Sequence, residues 1–264
     1  MFEIFRSKKN RFKANVYLSF RLFRKDLLTQ QALTRLGMLW DFMEPLTMAG
    51  LFIFLAQAGF ISSQGLSFPY ALYVIFGFIL YQAFTDSVNH SIRVISRNKD
   101  ILKYKKIPSI CLAGSDLFRF LYFGAVRLAI LVVALLGFGY FNPLAFLASI
   151  AGYFITIVFG MSLGLILSPF NSIYEDIGRL VGIVLSIMRF GTPVMWVFPY
   201  EKFLWLYLFN PVAVLIDSTR SMATLGTIEF SVYLAVLVPV IALLSLLSVH
   251  VLRKTATLIV EHLS

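Results

Sequence analysis

The sequence predicts an all-α integral membrane protein with six transmembrane helices, an N-terminal amphipathic helix at the interface, and a re-entrant helical hairpin between spans five and six. Three observations predict it. Of 264 residues, 59% are apolar and only 14% charged, with a mean hydropathy of +0.84, a balance that a globule with a charged surface in water does not normally reach. Apolar runs long enough to cross a bilayer, roughly 20 residues each, recur along the chain. Lysine and arginine collect in alternate connections between those runs, as the inside loops of a membrane protein do. Residues 1–264 read as a single membrane domain, with 1–35 cytoplasmic or interfacial, 36–252 carrying the spans and 253–264 a cytoplasmic tail.

From Phe12 to Leu28, Phe12, Val16, Phe20, Phe23 and Leu27 recur at three- and four-residue spacing while Lys13, Arg21, Arg24 and Lys25 take other faces. Such a helix lays its apolar side chains in the acyl boundary and keeps its cations at phosphate level; a soluble amphipathic helix is the alternative. The first span is expected over Leu36–Phe60 and the second over Tyr70–Ile92. A basic segment follows, with Arg93, Arg97, Lys99, Lys103, Lys105 and Lys106, then a third span over Leu117–Tyr140. Asn142 and Pro143 make a tight turn into a fourth, Leu144–Leu167, which is expected to stop at Ser168 and Pro169 because proline disfavours helix in the residue before it. A fifth run covers Leu180–Phe198 and the last Val232–Leu252. Between them, Pro199–Phe230 is too long for a turn and too rich in Phe, Trp, Leu and Tyr for a solvated loop, so it is expected to dip back into the bilayer.

The cation distribution orients this arrangement. Arg6, Lys8, Lys9, Arg11, Lys13, Arg21, Arg24, Lys25 and Arg35 precede the first span, and six more lie between the second and third; Ile61–Pro69 and Gly139–Pro143 have none. Both termini are therefore expected in the cytoplasm, with Arg253 and Lys254 after the last span in agreement. The basic N-terminus is too long for the charged region of a cleavable signal, and is expected to be retained.

The same features exclude several functions. The formal net charge of +10 flanks apolar runs rather than forming a polar face with accessible aromatics, which argues for topology and anionic headgroups rather than nucleic acid. No G-x-x-x-x-G-K-S/T string is present, so any nucleotide hydrolysis must belong to another chain. The lone Cys111 forms no internal disulfide and leaves the redox compartment open, and His90, His250 and His262 have no paired metal spacing.

Three polar stretches need a reason to sit among spans. They are Leu36–Pro45, reading Leu-Gly-Met-Leu-Trp-Asp-Phe-Met-Glu-Pro; Asn98–Pro108, reading Asn-Lys-Asp-Ile-Leu-Lys-Tyr-Lys-Lys-Ile-Pro; and Asn210–Pro211, with Asp217, Ser218 and Arg220 beyond. In this order and at these positions, over nearly the whole chain, they resemble the permease subunits of polysaccharide-exporting ABC transporters of the capsule and O-antigen type. The resemblance implies a homodimer in the bacterial inner membrane that binds two nucleotide-binding ATPase subunits and moves a lipid-linked polysaccharide through a channel, with periplasmic or outer-membrane export proteins as further partners. ATP and Mg would be held by the ATPase, with no cofactor in this chain.

The resemblance makes 98–107 the principal coupling element, a short helix seated in a cleft of the ATPase. Lys99, Lys103, Lys105 and Lys106 would meet acidic residues there, with Ile101, Leu102 and Tyr104 as apolar anchors; a basic loop serving topology alone is the other reading. Tyr174, Glu175 and Asp176 would be a second contact, since no histidine or nucleophile stands at a defined spacing to make the carboxylates catalytic. Trp196, Phe198, Tyr200, Phe203, Trp205 and Tyr207, with Phe209, are candidates for the wall of a glycan channel, because an aromatic face covers the apolar side of a sugar ring; the interfacial aromatic belt is the alternative. Arg127 and Arg189, deep in spans three and five, would face either the phosphate or acidic sugar of a passing substrate or an internal carboxylate, with Asp86 and Glu44 as partners; Arg119 reaches the interface by snorkelling. Two other functions stay open: a membrane-embedded glycan or lipid transferase, which would need acidic or histidine clusters that this chain does not display, and the permease of a related drug or lipid exporter.

Overall fold

The structure is a computed structural model; residues 8–33, 37–61, 65–104, 107–197, 204–205 and 207–262 are described. Among them every regular element is a helix: α1 (Lys8–Leu33), α2 (Gly37–Gln57), α3 (Tyr70–Ser91), α4 (Val94–Arg97), α5 (Lys99–Tyr104), α6 (Ile110–Gly137), α7 (Pro143–Ile173), α8 (Asp176–Met188), α9 (Pro211–Leu225) and α10 (Ser231–His262). Four of these are long and apolar enough to cross a bilayer, namely α3, α6, α7 and α10; in α2 the stretch Leu46–Gln57 is a shorter apolar helix.

α3 is the central helix. Leu72, Val74, Phe76, Ile79, Leu80, Phe84 and Val88 are buried around its circumference, the pattern of a helix enclosed by others. α2, α6, α7 and α9 pack on it, α10 runs along α7, and α1 lies against α6. In a bilayer the tails are as apolar as leucine, so close packing rather than exclusion of water holds helices together, and small residues mark where it occurs. Gly160 and Gly164 of α7 face α3 at successive turns. A Cβ at Gly160 would stand 2.7 Å from the Phe84 carbonyl oxygen, and one at Gly164 2.6 Å from that of Val88.

α1 spans the predicted amphipathic segment. Ser19 and Leu22 are buried, and Phe20 and Phe23 bring their rings to 5.7 and 6.4 Å from Phe118 of α6. Phe12, Val16 and Tyr17 remain exposed. The α6–α7 hairpin forms where expected: the Asn142 side chain accepts from the N–H groups of Leu144 and Ala145, and Pro143 opens the helix where its missing N–H costs nothing.

Two expectations about helix ends are corrected. α7 does not stop at Ser168–Pro169 but continues to Ile173. Pro169 deprives the Leu165 carbonyl of its backbone donor, and the Ser168 hydroxyl supplies another at 2.8 Å. The fifth apolar run is helical only as far as Met188, after which the chain turns through Gly191 and Pro193. The Thr192 hydroxyl donates to the Met188 carbonyl, and Gly77 of α3 lets the turn approach so closely that a Cβ there would lie 2.8 Å from Val194 Cα. In the predicted re-entrant region, residues 198–203 and 206 lie outside the described residues. Beyond them Asn210 caps α9 through the Ala213 N–H, and Gly226, with φ of 72°, ends it in the left-handed conformation that favours glycine.

Replacing Gly160 with valine is expected to force α7 off α3 and lower stability by about 1–3 kcal/mol, read as a drop in thermal unfolding midpoint in detergent; Gly182→Val, where nothing lies within 4 Å of the added Cβ, is expected to cost far less.

Candidate functional site

The ends of α3 and α6 nearest the basic segment carry a buried charge network. Asp116 of α6 is fully buried, and its carboxylate accepts from the Ser91 hydroxyl at 3.0 Å and from Arg97 Nη2 at 2.7 Å, with His90 Nε2 3.3 Å away. Arg97, the last residue of α4, also donates to the His90 carbonyl at 3.2 Å and sets its Nε 3.5 Å from Asp26 of α1. Four helices thus converge on one carboxylate and one guanidinium. An unpaired charge here would cost several kilocalories, so the network fixes α4, and α5 directly behind it, to the bundle.

Beside it lies a cleft of about 550 Å³ between α3, α4, α6 and the link that follows α7. Among the described residues Arg93, Arg97, Arg119 and Arg127 line it, with the carboxylates Asp86 and Glu175. The Arg119 guanidinium sits 4.6 Å from the Phe123 ring centroid. Arg127 is buried and paired with Asp86, one of the two internal partners considered for it, which also accepts from Gln82 at 2.9 Å; the side chain of the other, Glu44, lies outside the described residues.

The predicted coupling residues fall into two groups. On α5, Lys99 and Lys103 are exposed, whereas Ile101 and Leu102 pack partly against a cluster that includes Leu22 of α1 and Leu252 and Ala256 of α10. The apolar pair is therefore partly occupied within its own chain. The Tyr104 side chain and residues Lys105 and Lys106 lie outside the described residues. Tyr174, Glu175 and Asp176 are exposed between α7 and α8, with Asp176 accepting from Arg179 at 3.2 Å. Glu175 and Arg93 line a second cavity together, which sets the link after α7 beside the start of α4.

Among the described residues, the predicted channel residues do not form one surface. Arg189, at the end of α8, lies 5.6 Å from the Tyr81 ring and does not line the arginine cleft. Trp196 donates from Nε1 to the Phe190 carbonyl at 3.1 Å, and Trp205 is exposed edge-on to exposed Phe209. Tyr207 is buried, its hydroxyl donating to Asp217 at 2.9 Å. Phe198, Tyr200 and Phe203 lie outside the described residues.

Sequence reasoning missed the Asp116 network and a second node around Arg220. Arg220, on α9, is almost fully buried: it donates to the Tyr73 carbonyl at 3.0 Å and the Pro193 carbonyl at 2.9 Å, pairs with Asp217, and stacks on the Tyr73 ring at 3.5 Å. The available signal was a charge inside an apolar helix, which requires a partner without naming it. Among the described residues no group of three or more His, Cys, Asp or Glu is placed to hold a metal ion.

Helices of bilayer-crossing length, with charges paired between them, define a polytopic helical membrane protein. No family model matches the chain. It is similar to the O-antigen export system permease protein RfbA of Klebsiella pneumoniae, with 26% identity over 218 residues, 81% of this chain and 82% of the relative. It is likewise similar to the polysialic acid transport protein KpsM of Escherichia coli, with 26% identity over 221 residues, 81% of this chain and 83% of the relative. The resemblance carried by the three polar motifs is thus matched along four fifths of the chain, and both relatives are named for transport rather than for an enzymatic activity.

Asp116→Asn is expected to destabilise the protein by about 3 kcal/mol, because it removes the fully buried carboxylate of the network and leaves Arg97 only Asp26 as a charge partner. With Arg97→Gln added, the total loss is expected to fall short of the two single losses combined, as unfolding of all three variants in detergent would measure.

Proposed function

We propose that the chain is the transmembrane subunit of an ATP-driven exporter that moves a lipid-linked polysaccharide, of capsule or O-antigen type, across the bacterial inner membrane. The similarity to an O-antigen export permease and a polysialic acid transport protein over 81% of the chain carries this reading. Six spans fit it: α3, α6, α7 and α10 are long enough alone, α2 continues the apolar Leu46–Gln57 stretch, and the fifth is α8 with the turn beyond it. α8 alone, with 13 residues, reaches about 20 Å of the ~30 Å hydrocarbon thickness. α9, buried against α3 and α7, is the inner limb of a re-entrant hairpin. Both termini are cytoplasmic, and α1 lies at that interface with Phe12, Val16 and Tyr17 in the acyl boundary.

Two copies pair with two ATPase subunits, which hold ATP and Mg. α5 docks into each ATPase through its exposed lysines, and Tyr174, Glu175 and Asp176 make the second contact. The rigid attachment of α4 through Arg97 is the reason a push on α5 would reach α1, α3 and α6 together. Trp196 and Trp205, partly or largely exposed, are the described aromatics best placed to meet sugar rings.

Deleting the gene is expected to remove the glycan from the cell surface and leave lipid-linked glycan accumulating inside, by surface immunolabelling and extraction of the lipid fraction; normal surface display would defeat the reading. Lys99→Glu is expected to weaken co-purification of the ATPase several-fold, an effect of the size attributed to a charge contact, while leaving thermal unfolding of the permease itself unchanged.

A further inference from the structure

The inner side of α1 is seated on α6: Ser19 is buried, and a Cβ at Gly114 would lie 2.9 Å from Ser19 Cβ. The outer side carries two adjacent rows at four-residue spacing, Phe12, Val16 and Phe20 in one and Lys13, Tyr17 and Arg21 in the next, all of them exposed. Phe12, Lys13, Val16, Tyr17 and Phe20 line a groove of about 380 Å³ against Phe118 of α6. The Arg21 guanidinium stands at its rim, 5.1 Å from the Tyr17 ring centroid. Asp26, the single acidic residue of α1, is taken up by Arg97 and Lys25. Among the described residues, Lys13 and Arg21 take part in none of the ion pairs. Bare apolar sides such as Val232, Val236 and Leu243 of α10 meet any acyl chain. This groove differs in the cations along its rim, whose stems lie on apolar surface while their charges stay at phosphate level.

We infer that the groove between α1 and α6 binds one anionic phospholipid, its headgroup phosphate on Lys13 and Arg21 and an acyl chain lying over Val16, Phe20 and Phe118. A zwitterionic lipid brings the same phosphate together with its own cation, which a rim of lysine and arginine repels; an anionic headgroup is attracted by each of them. Apolar contact and charge thus select the same occupant, as they do for interfacial helices in general. The inference rests on the interfacial placing of α1 and is independent of the cargo. Because Asp26 of α1 holds Arg97, a lipid seated here also steadies the helix to which α4 is tied.

The test uses the full chain in phosphatidylcholine nanodiscs doped with phosphatidylglycerol that carries a photoreactive diazirine in one acyl chain. Labelling is expected to concentrate on the peptides holding Phe12 to Phe20 and Phe118, and to fall on addition of unlabelled phosphatidylglycerol but not of phosphatidylethanolamine. Lys13→Gln/Arg21→Gln is expected to cut that labelling about tenfold, and Lys13→Arg/Arg21→Lys to keep most of it, all three proteins unfolding at the same temperature. Labelling spread evenly over the exposed sides of α8 and α10, equal competition by phosphatidylethanolamine, or equal labelling of the glutamine variant overturns the inference. So does a glutamine variant that loses the ATPase on co-purification with its labelling unchanged, which would give the row to the ATPase. Labelling that emerges only when residues 1–7 are deleted would make the chain's own N-terminus the occupant and equally overturns it. Surface glycan in a deletion strain separates this site from the export reading. Selective labelling with undisturbed surface glycan leaves the site standing and defeats export; loss of surface glycan with unselective labelling leaves export standing and defeats the site.

Discussion

A guanidinium shut away from water sets the geometry of half of this molecule. Arg220 meets the Tyr73 carbonyl of α3, the Pro193 carbonyl of the turn after α8, and Asp217 one turn back on its own helix. Tyr207 then completes Asp217, and Tyr73 both stacks on the guanidinium and donates through its hydroxyl to the Trp196 carbonyl. The close approach at Gly77 follows from that clamp, as does the early end of α8, whose chain must turn to bring Pro193 to Arg220. The same rule, that a charge among apolar helices needs satisfied partners, governs the opposite ends of α3 and α6, where Asp116 gathers α1, α3 and α4.

The two nodes divide the labour. The Arg220 node fixes α9 and its flanking turns against α3, a rigid scaffold for exposed aromatics such as Trp205. The Asp116 node fixes α4, and through it the short basic helix α5, to the long helices. Under the export reading these are the ends at which substrate leaves and at which force enters. Between them α3 and α7 run in contact over Gly160 and Gly164, so the two ends share a stiff axis.

Much of this was legible in the sequence. The runs that became α3, α6, α7 and α10 needed only length and hydropathy, and the Asn142–Pro143 turn marked the start of α7, whereas the capping of α9 by Asn210 emerged only in the structure. The stop predicted at Pro169 failed because a single hydroxyl, Ser168, replaced the lost donor to Leu165, a detail that propensity does not contain. The partners of Arg220 and Asp116 on other helices were hidden for a different reason: Tyr73 and Ser91 lie 147 and 25 residues away in sequence, and periodicity within one helix says nothing of which neighbour it will face. Arg127 was a middle case, since its need for a carboxylate was plain and Asp86 was one of two candidates. Tyr207 sat in an aromatic cluster that reads alike whether a ring lines a channel or fills a core; its hydroxyl on Asp217 is what places it inside.

The account stands on vectorial, ATP-driven movement of a lipid-linked glycan by this chain with a separate ATPase. The direct measurement is translocation in proteoliposomes containing both, with the glycan labelled and its exposure on each leaflet followed by protection from a membrane-impermeant glycosidase. The account predicts movement that requires ATP hydrolysis, stops with a non-hydrolysable analogue, and returns the glycan chemically unchanged. Movement at the same rate without ATP, or a covalent change in the glycan lipid without movement, would contradict it.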